Sequence, residues 1–470
     1  MLTYYSLPGK FCILMGMDID FKNFIKNKSI TLGVVGLGYV GLPTAIAFYD
    51  AGFSVIGIDN SDEVVNYLKN NINPLDEPNL DNSIPDSDSN RWNITKSFEN
   101  SVNKCDIILV TVPTPVNENR KIDTTYVKEA GNSIFENIKK GNNTIVVLES
   151  TVYPGLTKKV WLPIIQRLDL VIGTDVSLAY CPERYNPGDS KHSIAEVARV
   201  VGSMDKKIGE NLVVLYSEIT SSSVTYVGSM EVAESSKLIE NVQRDINIAL
   251  VNELSMILPK LGVDIEEVLD AASTKWNFHR YSPGIGVGGH CIPVDPYFLI
   301  DQAYENNSPV NLISSAREIN DKMPSFIGNE INNLLDDMSI DKNNRKALLL
   351  GWSYKQGIGD VRGSPSKYLA SSLVSYGFEI SVWDPYISIE ELPNKVNKIN
   401  HYSDSSEYDV VILATSHSEF LSIDWKDLKK FMNNPILYDG RRVLDLDLIS
   451  ELGWVTAAIG KPFHHKGFNF

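Results

Sequence analysis

Cys291 lies in a glycine-rich stretch, GVGGHCIPVDP, beside His290 and four residues before Asp295. Structural cysteines are usually buried among apolar side chains, but the neighbours of this cysteine leave room for a bound molecule. A thiolate can add to a carbonyl carbon, and an aspartate close by can hold or activate a water molecule. On this stretch alone, a reactive cysteine and a buried structural cysteine followed by a turn aspartate are both open interpretations.

A second chemical pattern is the glycine motif Gly36-Leu37-Gly38-Tyr39-Val40-Gly41, which follows an apolar, strand-like segment and opens a helix-like one. In this pattern the first glycine permits a tight turn, the second lets a pyrophosphate approach the backbone, and the third lets helix and strand pack closely. Asp59 ends the next strand-like segment, where an acid binds ribose hydroxyls and repels a 2′-phosphate. The motif predicts an NAD site, and a glycine turn without a ligand is the alternative.

Three further side chains are of types that stabilise or transfer charge. Lys237 and Asn241 are four residues apart in a helix-like segment, so they share one helix face and can stabilise an alkoxide or a tetrahedral oxyanion. Glu183 lies in CPERYNPG, after a predicted strand, where a carboxylate can act as a general base. Taken singly, each of the three is better explained as a solvated surface residue.

Strands and helices alternate along most of the chain and must position these residues. Buried, β-rich segments alternate with helix-like ones between residues 30 and 188, and the theme returns after residue 345 without a GxGxxG turn. Residues 229–272 have helical period instead, typical of a long helix or a helix pair. We predict an α/β fold with two Rossmann-like doubly wound parallel sheets joined by a helical central domain.

Composition and charge argue against several classes of partner. The net charge is −16 and the pI is about 5.0, so the surface repels nucleic-acid backbones. The four cysteines are scattered without a CxxC pair, which argues against a disulfide framework or a metal site and favours a reducing, cytoplasmic compartment. No apolar run is long enough to span a membrane, so no membrane segment is expected.

Eight ordered segments resemble those of the nucleotide-sugar dehydrogenases, the UDP-glucose/GDP-mannose dehydrogenase family, from about residue 30 to about residue 460. They are GLGYVGLP, TVPTP, ESTVYPG, CPERYNPG, KLIENVQRDINIALVNE, GVGGHCIPVDP, GWSYKQGIGDVRGSP and YDGRRV. Eight segments in order are far more specific than a lone GxGxxG, and they favour a reactive Cys291. The resemblance implies oxidation of the C6 hydroxyl of a UDP-sugar to a carboxylate, with two NAD and one water, in a homodimer or higher homo-oligomer.

The resemblance also implies roles for single residues. Cys291 matches the thioester-forming nucleophile. Glu183 and Asp295 match residues that act on water. Lys237 and Asn241 match residues that stabilise the alkoxide and the oxyanion. Thr151 is placed with these catalytic residues, and no metal ligand is implied. The implied cofactor-binding residues are Gly36, Gly38, Tyr39, Val40, Gly41, Asp59, Thr111, Pro113, Thr114, Thr151 and Arg362. The implied substrate-binding residues are Glu183, Arg184, Tyr185, Asn186, Lys237, Arg280, Gly288, Lys355 and Arg441, with Arg280 reaching a neighbouring subunit's site.

Four segments follow from this interpretation. We expect an N-terminal extension over residues 1–29, either disordered or not part of the native chain, and an NAD-binding Rossmann domain over residues 30–222. A central helical domain for dimerisation, which carries the cysteine, is expected over residues 223–330. A Rossmann-like domain that binds the UDP-sugar is expected over residues 331–470.

Departures from the pattern of the UDP-glucose enzymes indicate the sugar. The glutamate loop has Pro187 where those enzymes have a second glutamate, and the cysteine loop reads GGHC rather than a GGSC-like form. Together with TKWNFHRYSPG (residues 274–284), these features resemble the branch that oxidises N-acetylated UDP-hexosamines. We expect UDP-N-acetylglucosamine or UDP-N-acetylgalactosamine as substrate, for surface polysaccharide or glycan synthesis. UDP-N-acetylmannosamine and UDP-glucose are the alternatives.

Two rival functions need fewer of these residues. A simple NAD-dependent alcohol dehydrogenase, with two-electron chemistry, needs none of Cys291, Glu183 and Asp295. A nucleotide-binding scaffold without activity would tolerate loss of the cysteine. The presence of the whole set in one chain argues against both.

Overall fold

Two open sheets of mostly parallel strands form the framework of the protein, which a computed structural model describes over residues 21–75, 80, 83–117, 121–184 and 194–463. Residue contacts divide the chain into two compact units, Met1–Glu240 and Asn241–Phe470. Each unit contains one of the sheets. The predicted α/β class with two doubly wound sheets is confirmed.

The first unit holds eight strands in the order β3-β2-β1-β4-β5-β6-β7-β8, all parallel to their neighbours except the antiparallel pair β6–β7. The strands are β1 (Thr31–Val35), β2 (Ser54–Ile58), β3 (Trp92–Thr95), β4 (Ile107–Val110), β5 (Thr144–Leu148), β6 (Val176–Tyr180), β7 (Arg199–Ser203) and β8 (Val224–Gly228). The helices are α1 (Phe21–Lys26), α2 (Gly41–Asp50), α3 (Asp62–Lys69), α4 (Thr125–Phe135), α5 (Leu156–Arg167) and α6 (Lys206–Tyr216). Strands β4, β5 and β6 are buried throughout, which explains their continuous apolar sequences.

The second unit repeats this strand order over six parallel strands, β11-β10-β9-β12-β13-β14. The long helix α7 (Met230–Ile257) starts in the first unit and continues into the second. The remaining helices are α8 (Ile265–Ser273), α9 (Asp295–Glu305), α10 (Asn311–Asp337), α11 (Pro365–Ser375), α12 (Ser418–Leu421), α13 (Trp425–Leu428) and α14 (Leu446–Glu451). The strands are β9 (Lys346–Leu350), β10 (Glu379–Trp383), β11 (Val396–Ile399), β12 (Val410–Leu413), β13 (Ile436–Asp439) and β14 (Val455–Ala458).

Both sheets reverse their strand order at one point, between β1 and β4 in the first unit and between β9 and β12 in the second. In open α/β sheets a ligand binds outside the carboxyl ends of the strands at such a point, because the two connections there leave in opposite directions. The glycine motif follows β1, and the turn that begins at Gly351 follows β9. The topology therefore places one candidate ligand site on each sheet.

The predicted segment boundaries differ in detail from the elements. Strand β8 pairs with β7, so the first sheet extends beyond residue 222. Helix α10 runs through residue 330 without interruption. Helix α1 lies inside the predicted extension, and its Ile25 is fully buried in the core of the first unit, while residues 1–20 lie outside the described residues. The four-segment division stays a proposal.

The helices in the described part of the chain differ from membrane spans in length or in composition. No single helix is long and apolar enough to cross a membrane. One pair, Met230–Leu261 with Ile265–Ser273, meets the length and composition requirement together, but it is bent by 118°.

Candidate active site

The glycine turn after β1 has the backbone that its residue types predict. Gly36 has φ +91°, a left-handed conformation that side chains disfavour. A Cβ on Gly41 would lie 1.8 Å from the carbonyl oxygen of Gly36, so only glycine lets α2 begin this close to the strand. The hydroxyl of Thr111, directly after β4, donates to the same carbonyl oxygen at 2.6 Å and fixes the turn from the neighbouring strand.

Gly38 and Asp59 give this turn the features of a dinucleotide site. A Cβ on the exposed Gly38 would meet no atom within 4 Å, so the backbone there is open to a ligand. Asp59, directly after β2, accepts the N–H of Leu37 at 2.7 Å and that of Ser61 at 2.9 Å, which holds its carboxylate at the turn. Because α2 begins here, its N–H groups favour a phosphate. These residues fit the pyrophosphate and ribose of NAD.

The other implied cofactor residues of the first unit lie at neighbouring strand ends. The hydroxyl of Thr114 donates to the carbonyl oxygen of Thr151 at 2.7 Å, which joins the loop after β4 to the loop after β5. Pro113 lies in the same loop as Thr114, and Tyr39 and Val40 are half-buried in the glycine turn. The structure thus brings the implied cofactor residues of the first unit to one edge of its sheet.

Glu183 lies after β6 and is buried, with 5 % exposure. Its carboxylate accepts from the guanidinium of Arg199 at 2.6 Å and from the backbone N–H of Arg184 at 2.7 Å. Arg199 begins β7 and is 1 % exposed, so this ion pair is shielded from solvent. The two hydrogen bonds fix the orientation of the Glu183 carboxylate. The other two implied residues of this loop, Tyr185 and Asn186, lie outside the described residues.

Lys237 lies near the start of α7, which Glu234 anchors to α5. The buried carboxylate of Glu234 accepts from the N–H of Gly155 at 2.5 Å and from the N–H and hydroxyl of Thr157 at 3.2 and 2.5 Å, so it caps α5. Lys237 follows three residues later and is half-buried. Its side chain makes no hydrogen bond or ion pair within the described residues. Its ammonium group is therefore available to a negatively charged ligand atom.

Asn241 and Asp295 form a buried pair in the second unit. The amide nitrogen of Asn241 donates to the Asp295 carboxylate at 2.5 Å, and the guanidinium of Arg244 donates to the amide oxygen at 3.0 Å. Arg244 therefore fixes which end of the amide faces the carboxylate. Asp295 is the first residue of α9, and its N–H donates to the carbonyl oxygen of Cys291 at 2.8 Å. The second unit thus brings Cys291, Asp295 and Asn241 together.

Exposure separates Cys291 from the other described cysteines. Cys105 and Cys181 are buried, and burial raises the pKa of each thiol to about 12. Both stay protonated at neutral pH, and a protonated thiol is a poor nucleophile. Cys291 is half-exposed and lies before the first turn of α9. It is therefore the described cysteine that a substrate can reach.

The glycines before Cys291 let two loops pack closely. A Cβ on Gly288 would lie 2.5 Å from the Cβ of Tyr354. Gly289 has φ +90°, and its N–H donates to the carbonyl oxygen of Arg362 at 3.1 Å. The cysteine loop therefore lies against the loop after β9, which also carries Lys355. The guanidinium of Arg362 binds Asp360 at 2.5 Å, so its implied contact with the cofactor stays a prediction.

A buried histidine occupies the second sheet where the strand order reverses. Asp384, after β10, accepts from the N–H groups of Trp352 and Ser353 at 2.7 and 2.9 Å, and His417 Nε2 lies 3.1 Å from the same oxygen. The N–H of Gly357 donates to His417 Nδ1 at 3.1 Å. Asp384 follows the second strand of its sheet, as Asp59 follows β2 in the first unit, but it is covered by the protein's own groups. These groups hold the loop that carries Lys355.

Serine, histidine and aspartate also meet in hydrolytic triads, but this arrangement is different. The hydroxyl of Ser353 lies 3.0 Å from His417 Nε2, the same nitrogen that approaches Asp384. A triad needs the serine and the carboxylate on opposite ring nitrogens. All three side chains are also buried. The network is therefore structural.

We expect Asp384→Asn to lower the free energy of unfolding by about 2 kcal/mol at pH 7. Burial alone would raise the pKa of Asp384, but the hydrogen bonds from His417, Ser353 and Trp352 outweigh it and lower the pKa from 3.8 to about 2. A lowered pKa stabilises the fold above pH 3.8, and this contribution is lost as the pH falls towards 2. Urea unfolding of both proteins at pH 7 and pH 3 checks this. An equal difference at both pH values would contradict an electrostatic origin.

Arg441 and Arg280 differ in how their charges are balanced. Burial lowers the pKa of Arg441 to about 10, and the carboxylate of Asp439 offsets this only in part. Within the described residues Arg441 forms no salt bridge, so its charge favours an anionic ligand such as a diphosphate. Arg280, by contrast, pairs with Glu266 and Asp270 of α8. Its implied contact with a neighbouring subunit stays a prediction.

Sequence reasoning missed several residues that hold the site. Arg199 and Arg244 bind the predicted Glu183 and Asn241, and Glu234 anchors the helix that carries Lys237. None lies in a spacing that signals its role, because each partner is brought close by the fold. Among the described residues, no group of three or more His, Cys, Asp or Glu side chains is placed to hold a metal ion.

Comparison with known proteins places these sites in a family. Sequence models of the UDP-glucose/GDP-mannose dehydrogenase family match the chain in order: the NAD-binding domain at residues 30–220, the central domain at 231–322 and the UDP-binding domain at 348–446. The UDP-N-acetyl-D-glucosamine 6-dehydrogenase of Pseudomonas aeruginosa is 35% identical over 424 residues, which cover 89% of this chain and 98% of the relative. The UDP-N-acetyl-D-mannosamine dehydrogenase of Methanococcus vannielii is 33% identical over 444 residues, 93% of this chain and 98% of the relative.

A solved structure agrees with these relatives. The UDP-D-ManNAc dehydrogenase of Pyrococcus horikoshii superimposes with a TM-score of 0.83 at 29% identity, over 93% of this chain and 100% of that one. The match therefore covers nearly the whole chain. With its NAD-binding turn and its UDP-binding domain, this chain belongs to the UDP-glucose/GDP-mannose dehydrogenase family, whose members are NAD-dependent nucleotide-sugar dehydrogenases.

Proposed function

We propose that this enzyme oxidises the C6 hydroxyl of a UDP-N-acetylhexosamine, either UDP-N-acetylglucosamine or UDP-N-acetylgalactosamine, to the carboxylate. One alcohol, two NAD and one water give one carboxylate, two NADH and three protons. The observation that carries the proposal is the cluster of Cys291, Asp295 and Asn241. Cys291 is half-exposed, its carbonyl oxygen accepts the N–H of Asp295, and the buried Asp295 carboxylate binds the amide of Asn241. A two-electron alcohol dehydrogenase has no use for this cluster. NAD, when bound at the glycine turn, accepts the hydride that each oxidation releases.

The first oxidation needs a group that stabilises negative charge on the sugar oxygen. As C6 loses its hydride, the hydroxyl must lose its proton, and the oxygen carries negative charge until the aldehyde forms. Lys237 is the proposed partner, because its half-buried ammonium has no other described partner. Asn241 follows one turn later on the same helix and adds an amide donor.

The second oxidation needs the thiol. The Cys291 thiolate adds to the aldehyde carbon and forms a thiohemiacetal, and loss of the C6 hydride then leaves a thioester. The covalent bond keeps the aldehyde from escaping between the two oxidations. The glycines before the cysteine let its loop pack against the loop that carries Lys355. Gly288 cannot carry a side chain without meeting Tyr354.

Hydrolysis of the thioester needs an oriented water molecule. Glu183, held by Arg199, is the proposed base that takes a proton from this water. Asp295, held by Asn241, is proposed to position the same water. The C–S bond then breaks, the thiolate leaves, and the sugar carboxylate is released. Thr151 is proposed to help hold the reacting groups in place.

The second unit is proposed to bind the UDP moiety. Arg441 offers a poorly compensated positive charge to the diphosphate, and Lys355 lies on the loop that His417 holds. Because His417 and Asp384 fill the strand-reversal point of this sheet, a second dinucleotide is disfavoured there.

The sugar is proposed from the two loop departures and from the activities for which relatives are named. Relatives include enzymes named for N-acetylglucosamine and for N-acetylmannosamine. UDP-N-acetylmannosamine therefore remains the main alternative and UDP-glucose the second. A homodimer or higher homo-oligomer, a cytoplasmic location and a role in surface polysaccharide or glycan synthesis are further proposals that come from the family resemblance and the cysteine pattern.

The experiment is the NADH yield at limiting sugar. Purified enzyme with excess NAD is given UDP-N-acetylglucosamine, UDP-N-acetylgalactosamine, UDP-N-acetylmannosamine or UDP-glucose in turn. We expect two NADH per sugar from one of the first two. One NADH per sugar would overturn the four-electron reaction. Activity on UDP-glucose alone would show that the loop departures do not identify the branch.

A further inference from the structure

Two buried carboxylates lie near one arginine at the carboxyl ends of strands in the first sheet. Glu183 binds the guanidinium of Arg199 at 2.6 Å. Glu149, directly after β5, is also buried, with 2 % exposure, and accepts the hydroxyl proton of Tyr216 at 2.6 Å. The ring of Tyr216 lies 5.3 Å from the guanidinium carbon of Arg199. These four side chains form one buried cluster, and the roles proposed above give no task to Glu149.

The cluster contains polar atoms that the described residues leave without hydrogen bonds. One carboxylate oxygen of Glu149 is buried and has no partner, and the same is true of Nε and Nη1 of Arg199. Native proteins rarely leave such atoms unpaired, because a buried polar atom without a partner loses its hydration and gains nothing in return. An acceptor and two donors in one cluster are complementary. They allow the arginine to interact with Glu149 as well as with Glu183.

Charge balance decides how the cluster is protonated. One guanidinium offsets one carboxylate, so two ionised carboxylates would leave an uncompensated buried charge. Burial raises the pKa of Glu149 to about 7, the charge of Arg199 opposes this rise, and Glu183 adds to it. Cys181 also faces the cluster, but burial raises the pKa of its thiol to about 12, so it stays neutral. Arg184 contacts Glu183 through its backbone, and its guanidinium pairs with Glu240.

We propose that Glu149 is a positioning residue that sets how tightly Arg199 holds the carboxylate of Glu183. This inference rests on the proposed role of Glu183 as the base of thioester hydrolysis. While Glu149 holds its proton, Arg199 is balanced by Glu183 alone and holds its carboxylate tightly. When Glu149 ionises, it competes for Arg199, and the Glu183 carboxylate is freed to take a proton from water. The enzyme therefore hydrolyses its thioester faster at pH values at which Glu149 is ionised than at pH values at which Glu149 is protonated.

Two variants separate this role from a purely structural one. Glu149→Gln keeps the shape and the hydrogen bond from Tyr216 but removes the titration. Tyr216→Phe removes the hydrogen bond that favours the ionised form of Glu149, so the titration moves to higher pH. The measurement is kcat from pH 5.5 to 9 with the UDP-sugar that gives two NADH. The wild type should show a rise of about threefold centred near pH 7, Tyr216→Phe the same rise at higher pH, and Glu149→Gln no such rise.

Infrared spectroscopy tests the protonation of Glu149 without any turnover of substrate. Infrared difference spectra of the substrate-free enzyme during a pH titration should show one buried carboxylic acid ionising near neutral pH. That band should be missing in Glu149→Gln and move to higher pH in Tyr216→Phe. Profiles of equal shape in all three proteins would overturn the inference, even where kcat itself falls. Absence of the two-NADH reaction in the wild type would instead overturn the proposed function, and the infrared band would still report on Glu149.

Discussion

Cys291→Ser should lower net turnover by about a thousandfold or more while NAD binding stays unchanged. The serine hydroxyl is close in shape to the thiol, but it is not ionised at neutral pH and forms an ester rather than a thioester. The first oxidation needs no thiol, so the loss should fall on the second. The glycine turn that fits NAD lies in the first unit and is not altered by the change. Steady-state NADH production and calorimetric titration with NAD measure the two quantities.

A matched control comes from the buried cysteines. Cys105→Ser makes the same chemical change at a side chain that donates to the carbonyl oxygen of Ser101, a bond that a serine can also make. We expect this variant to keep wild-type turnover. Wild-type turnover of Cys291→Ser would exclude a thioester and leave a two-electron dehydrogenase as the better description. Loss of turnover in both variants would point to damage of the fold rather than to chemistry.

The fold could be predicted because its main signals are local. The apolar segments that became β1, β2, β4, β5 and β6 are each followed by glycine, acid or proline residues, and both sheets contain strands with this pattern. Strands β7 and β8 were not predicted. Strand β7 begins with Arg199, a charged residue that argues against a buried strand unless its ion partner is known. That partner, Glu183, follows a different strand.

The candidate site could be predicted where chemistry and spacing coincide. Cys291 and Asp295 are linked by one turn of backbone, so their closeness is visible in the sequence. The contact of Asn241 with Asp295 depends on the packing of α7 against the start of α9 and has no sequence signal. Glu149 lies inside the recognised segment ESTVYPG. Its importance arises only because it is buried beside a second carboxylate.

The second sheet shows how a shared topology can hide a difference in binding. Asp384 follows β10 as Asp59 follows β2, and sequence alone makes them equivalent. In the structure, Asp59 is held by backbone groups at an open glycine turn, whereas Asp384 is covered by His417. His417 comes from the loop after β12, so its effect could not be deduced from the turn itself. The second sheet, which the sequence shows to lack a GxGxxG turn, therefore also lacks an open acid at the equivalent place.

Gly38→Ala and Gly41→Ala should separate cofactor binding from stability. A Cβ on Gly38 meets no protein atom within 4 Å, so we expect stability within about 0.5 kcal/mol of wild type. The same methyl group occupies the space that a pyrophosphate needs, so the Kd for NAD should rise by about tenfold or more, roughly 1.4 kcal/mol.

Gly41→Ala should instead weaken both NAD binding and the stability of the fold. Its Cβ would lie 1.8 Å from the Gly36 carbonyl oxygen and 2.4 Å from the hydroxyl oxygen of Thr111, so the turn must move before the chain can fold. Overpacking of this kind costs on the order of 1–3 kcal/mol, and a displaced turn binds NAD poorly. Urea unfolding and NAD titration of both variants test the pair. Wild-type affinity in Gly38→Ala would place the pyrophosphate elsewhere, because the only change in that variant is a methyl group at the point of closest approach.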